Sequence, residues 1–236
     1  GGHALGSNTT ADNNTAVGMY ALYANTTATG VTAVGKDSLK SNTTGNYNTA
    51  FGRSSLQANT TGVSNTGIGL NALYGNTTGD YNVALGQSAL EANTTADCNT
   101  ALGHEAMILT TTGANNTAVG PRALETNTTG NRNVAIGDQA LELNATTSYN
   151  TALGYSALEN NIADNNTAVG YKTLEANTTG TKNVAVGANS LKVNTTGHYN
   201  IAVGQAALTA NTTGDSNVAI GEGTLDANTT GNYNSA

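Results

Sequence analysis

Few residues of this chain could do chemistry, and their spacing limits what that chemistry would be. His3, His104 and His198 stand in variable positions near turns, and none has a partner at metal-ligand spacing. Cys98 is the single cysteine, so no disulfide forms within the chain. It occupies a place held elsewhere by Tyr47, Tyr81 or Tyr149. Glu91, Glu125, Glu142, Glu159 and Glu175 each follow a recurring Leu. A row of carboxylates could hold calcium, but stacked like charges repel, so the row is expected to face water. The tyrosines Tyr47, Tyr81, Tyr149, Tyr199 and Tyr233 could stack on sugar rings and are the candidate ligand contacts. Asn-Thr-Thr recurs and has the form of the N-glycosylation sequon. The glycines match neither a phosphate-binding loop nor the Gly-Gly-x-Gly-x-Asp calcium repeat. The expectation is a non-enzyme with no catalytic residue, no metal and no cofactor.

What positions these residues is a repeat. Glycines recur at Gly1, Gly18, Gly35, Gly52, Gly69, Gly86, Gly103, Gly120, Gly137, Gly154, Gly170, Gly187, Gly204 and Gly221, which marks fourteen copies. Every interval is seventeen residues except the sixteen from Gly154 to Gly170, where a local loop irregularity is expected around Asn161 to Asn165. From its glycine, taken as position 1, the unit reads G-x-x-A-L-x-x-N-T-T-G-x-x-N-T-A-V. End-to-end copies of one short unit are the mark of a solenoid. The predicted fold is all-β: a parallel β-roll of fourteen coils, about seventeen residues each, as one domain over 1–236.

Positions 15 to 17 alternate in the period of a strand and are rich in β-branched residues. A second short strand is predicted from the Ala-Leu pair to Asn-Thr-Thr, with glycines marking two turns. Leu22, Leu39, Leu56, Leu124 and Leu141 at position 5, and Val17, Val34 and Ile136 at position 17, are predicted to stack inside as ladders. The small residues at position 16 (Ala16, Ala33, Ala50) and position 4 (Ala21, Ser38, Ser55, Ala72) have two readings. They either form flat faces that pack against another chain or only let the coil fold tightly. Two asparagine columns, Asn25, Asn42 and Asn127 at position 8 and Asn48, Asn82 and Asn133 at position 14, are predicted to be hydrogen-bonded ladders. A stacked Asn is closed to a glycosyltransferase. Irregular sequons such as Asn115-Asn116-Thr117 are better acceptors.

The bulk numbers exclude several partners. A net charge of −7 gives no basic face for nucleic acid. No apolar run approaches membrane length, so no membrane insertion is expected. With charged residues at 10% and aromatic residues at 5%, a large globular core is not available, whereas a thin stacked one is.

Asn133-Val134-Ala135-Ile136-Gly137 and Asn217-Val218-Ala219-Ile220-Gly221 resemble the motif of YadA-like trimeric autotransporter adhesin heads. The longer unit, as in Asn150-Thr151-Ala152-Leu153-Gly154-Tyr155-Ser156-Ala157-Leu158, resembles repeats of bacterial and phage tail-fibre-like surface proteins. The repeat here is longer than the usual head repeat. The resemblance implies a left-handed parallel β-roll that trimerises and displays an adhesive or receptor-binding surface. The expected function is a structural or adhesive fibre segment, extracellular, on a cell surface or on a virion. Its expected partners are its own copies, as a homotrimer or filament, and a cell-surface glycan or receptor. Two alternatives stand beside it. One is an ice-binding solenoid that uses the threonines of Asn-Thr-Thr. The other is a filament subunit whose uncapped coils template further pairing.

Overall fold

The structure, a computed structural model, describes residues 1–236 as two compact units, 1–116 and 117–236. Each unit is a parallel β-solenoid. In the first, strands β1 to β6 are Thr15–Val17, Thr32–Val34, Thr49–Phe51, Thr66–Ile68, Val83–Leu85 and Thr100–Leu102. In the second, β7 to β13 are Thr117–Val119, Val134–Ile136, Thr151–Leu153, Thr167–Val169, Val184–Val186, Ile201–Val203 and Val218–Ile220. Neighbouring strands pair in parallel and in register, Thr15 against Thr32 and Ala16 against Ala33. Register survives the short coil, where Thr151 pairs with Thr167.

The strands are three residues long because the Gly that follows each one leaves the β region. Gly69, for example, has φ +135°. The predicted second strand does not form. Positions 3 and 5 both take the left-handed backbone, as in Tyr20 (φ 59°) and Leu22 (φ 52°). That backbone folds the segment into two turns, closed by Ala21 N–H to Gly18 O at 3.4 Å and Asn25 N–H to Leu22 O at 3.4 Å. The segment still bonds coil to coil, through Leu22 N–H to Ser38 O at 2.9 Å and Ala24 N–H to Lys40 O at 3.0 Å. A left-handed Leu costs about 1–2 kcal/mol, against about 1.5–3 kcal/mol gained by burying its side chain. Leu22, Leu39, Leu56, Leu124 and Leu141 are all fully buried.

The strand faces correct a second expectation. Val17 and Ile136 point outward and are exposed, and Val34 is half-exposed. The residue turned inward is the alanine between them: Ala33, Ala50 and Ala135 have no accessible surface. The cause is room. At Gly67, which holds position 16 in its coil, an added Cβ lies 2.6 Å from Ser55 Oγ and 3.4 Å from Leu56 Cδ1. The space between strand and Leu layer admits a methyl group and no branched side chain. Ala21, Ser38, Ser55 and Ala72 at position 4 are buried as well. Of the two readings of these small residues, the structure shows the interior one.

Both asparagine columns are buried and bonded. At position 8, Asn25 Nδ2 donates to Asn8 Oδ1 at 2.9 Å in the preceding coil and to Ala28 O at 3.1 Å in its own turn. Asn42, Asn59 and Asn76 repeat this pattern. Asn127 Nδ2 closes its own turn on Gly130 O at 3.2 Å. The series stops at Asn93, whose Oδ1 is buried without a partner because the next coil carries Thr110. At position 14 the bonding differs. Asn48 Oδ1 accepts the backbone N–H of Asn65 at 2.8 Å, while its Nδ2 donates to Gly62 O at 2.7 Å in the next coil. Asn82 and Asn133 bond in the same way, Asn82 Nδ2 to Ala96 O and Asn133 Nδ2 to Thr147 O, each at 2.8 Å. Each column thus satisfies backbone groups at a turn that would otherwise be buried unpaired.

The sixteen-residue coil has lost its position-10 threonine. Ile162 keeps the position-9 bond, to Thr178 O at 3.1 Å, and Asn161 keeps its ladder bond from Asn177 at 2.7 Å. The deletion removes an outward residue and leaves the interior in register.

Candidate interaction surface

In each unit the outer face of the strands carries two columns, an apolar one from position 17 and one from position 15 in which Thr alternates with Val and Ile. In the first unit position 17 presents Val17, Phe51, Ile68, Leu85 and Leu102, with Phe51 58% exposed. In the second it presents Ile136, Leu153, Val186, Val203 and Ile220, with Ile220 64% exposed. Position 15 mixes Thr32, Thr49 and Thr66 with Val83, Val184 and Ile201. Adjacent coils lie about 4.8 Å apart and the two columns about 6.6 Å apart, so each unit holds a flat stripe two side chains wide. Exposed apolar surface that runs on from coil to coil is the candidate interaction surface of this chain.

The tyrosines border this stripe at position 13 and are all exposed. Each continues a column that has positive φ, near 60° at Tyr47 and Tyr149. They lie back over the preceding coil. The Tyr47 ring covers Gly30, where an added Cβ would be 2.8 Å from Cδ1. Arg132 sits 5.5 Å from the Tyr149 ring and donates to its hydroxyl at 2.8 Å, and Lys182 sits 5.0 Å from the Tyr199 ring. Tyr81 is equally open. One ring face of Tyr47, Tyr149 and Tyr199 is thus engaged by the chain itself.

The reactive residues are scattered. His3 stacks on Tyr20 with centroids 5.2 Å apart, His104 Nδ1 lies 3.6 Å from Glu105, and His198 Nδ1 faces the Thr181 N–H at 3.0 Å. Cys98 is free and exposed. No three of His, Cys, Asp and Glu converge in the geometry of a metal site. No helix is long and apolar enough to cross a membrane.

The glutamates are half-exposed and partly paired. Glu175 meets Lys172 at 2.6 Å and Lys192 at 3.7 Å, and Glu142 meets Arg122 at 3.5 Å. Partial burial, a hydrogen bond with Glu125 and the charges of Glu125 and Glu159 raise Glu142 above the usual glutamate range, against the pull of Arg122. A raised folded-state pKa means that the group favours folding fully below its unfolded pKa and loses that contribution as pH rises through the folded value. Glu142→Gln should therefore gain stability relative to the parent near neutral pH, by about a few tenths of a kcal/mol, and lose that advantage near about pH 4. Urea unfolding at both pH values measures this. A parent more stable than the variant at neutral pH would show that the Arg122 pair dominates.

Comparison with protein-family models and with curated proteins finds no match to this chain.

Proposed function

We propose that this chain is a non-enzymatic structural or adhesive fibre segment of an extracellular, cell-surface or virion appendage, and that it self-associates as a homotrimer or filament. The observation that carries the reading is the flat apolar stripe on the outer strand face. Its position-17 column is apolar in every strand, which suits a surface that buries against copies of itself. The bordering tyrosines, each open on one side, suit contact with a cell-surface glycan or receptor. The resemblance to trimeric adhesin heads and tail-fibre repeats points the same way.

The test is the solution mass by light scattering, for the parent and for the double variant Phe51→Lys, Leu85→Lys. Both side chains are outward, so the coil should keep its circular dichroism spectrum while two desolvated charges oppose association. Trimers or longer polymers are expected of the parent, and a shift toward monomer of the variant. A strictly monomeric parent would defeat the proposal.

A second reading, ice binding, is favoured by one observation. The position-10 threonines Thr27, Thr44, Thr61, Thr78 and Thr95 form an exposed row. Against it, their position-9 neighbours are committed to the fold: Thr26, Thr43 and Thr60 Oγ1 donate to the next coil's carbonyl at 3.0–3.1 Å. In the second unit the row also lacks one member, between Thr146 and Thr179. Nanolitre osmometry on the same sample separates the two readings, and strong thermal hysteresis from a monomer would favour ice.

A further inference from the structure

The sequence contains two populations of Asn-x-Thr, and the structure separates them. The large one is the position-8 column. Its asparagines from Asn25 to Asn211 are buried, and those at the outermost coils, Asn8 and Asn228, are half-buried. Their amide hydrogens are spent on the ladder and on turn closure, as at Asn194, which donates to Asn177 Oδ1 at 2.9 Å and Gly197 O at 3.0 Å. The small population is Asn13-Asn14-Thr15, Asn115-Asn116-Thr117 and Asn165-Asn166-Thr167. All three stand at position 13. Asn13, Asn115 and Asn165 are exposed, with φ of 60°, 61° and 63°, a backbone that Asn tolerates better than other side chains. Two residues on, Thr15 is exposed, and Thr117 and Thr167 are half-exposed on the outer strand face. The middle residue is the position-14 asparagine, buried at Asn116 and Asn166 and half-buried at Asn14, which fixes the sequon against the coil.

We propose that Asn13, Asn115 and Asn165 are N-glycosylation acceptor sites of the folded chain. In the transfer, the amide nitrogen bonds to the anomeric carbon of a sugar carried on a nucleoside or lipid diphosphate. The anomeric C–O bond breaks, the diphosphate leaves with the electron pair, and one amide proton passes to the transferase's base. The amide lone pair is delocalised, so a transferase has to grip and distort the carboxamide. That is open to an exposed amide and closed to one held in a ladder by two hydrogen bonds. A glycan at any of these sites rises beside the apolar stripe and leaves every interior column in place.

The test uses the folded chain, a soluble asparagine glycosyltransferase and a nucleoside diphosphate hexose, read by intact mass and peptide mapping. Synthetic peptides spanning the three sites serve as the activity control. Up to three hexoses per chain are expected, on Asn13, Asn115 and Asn165. Thr117→Val should lose the Asn115 hexose alone, because Val already stands at position 15 in Val83 and Val134 and the fold accepts it. A folded chain that stays unmodified while the peptides accept sugar would overturn the proposal. Transfer to Asn25 or its ladder partners in the folded chain would do the same.

Discussion

Leu124→Asp is expected to cost at least about 4 kcal/mol of stability, and Glu125→Ala less than about 0.5 kcal/mol, although the two residues are neighbours. Leu124 has no accessible surface and its N–H is bonded to Ala140 O at 3.0 Å in the next coil. Asp in its place leaves a cavity in the Leu column and puts a carboxylate there with no cation to meet it. Asp does relieve the left-handed backbone at φ 53°, but that relief is about 1–2 kcal/mol at most and does not offset the loss. Glu125 is half-exposed, and its removal takes one negative charge away from Glu142. Urea unfolding of both variants decides the matter. Equal losses would mean that the Leu column is not the interior.

Position 5 was legible in the sequence because Leu recurs there in every copy but one, with Met107 in its place. The asparagine columns were legible for a similar reason, since an amide that recurs at every coil has a partner above and below. The inward strand residue was not read correctly, because Ala and Val are both apolar and a strand alternation does not say which face is inside. Volume holds the missing signal. Position 16 is Ala or Gly throughout, while position 17 runs through Val, Phe, Ile and Leu. A packed interior tolerates no such change in size, whereas an outer face does. The turns were illegible for a different reason. Tyr20, Leu22 and Tyr47 have no intrinsic preference for positive φ, so propensity points away from the backbone they adopt. The coil-to-coil bonds impose it. For the candidate surface, the tyrosine column could be seen in sequence, but its relation to an apolar stripe depends on the strand face and so was misplaced with it.

Two glycines on one coil offer the sharpest test of that imposed backbone. Gly69→Ala is expected to lose about 3 kcal/mol or more, and Gly67→Ala to change stability by no more than about 1 kcal/mol in either direction. Gly69 has φ +135°, and a Cβ there would sit 2.5 Å from Gly86 O and 2.7 Å from Gly86 C. Both atoms are backbone in the next coil, so neither the substituted residue nor its neighbour can turn away. Relief would require opening the bond from Gly86 N–H to Ile68 O, 2.9 Å long, together with the register that depends on it. Gly67 has ordinary φ and stands where other coils carry Ala. Its added Cβ meets Ser55 Oγ at 2.6 Å, but that hydroxyl has another place to go. Ser38, the same residue one coil earlier, donates to Gly35 O at 3.0 Å beside Ala50. Rotation of Ser55 toward Gly52 O would give the same arrangement, and the lost freedom of the unfolded chain then favours Ala. Paired urea midpoints read the difference directly. If the two variants unfold together, close packing alone governs these positions and the left-handed corner of the coil is not what requires glycine.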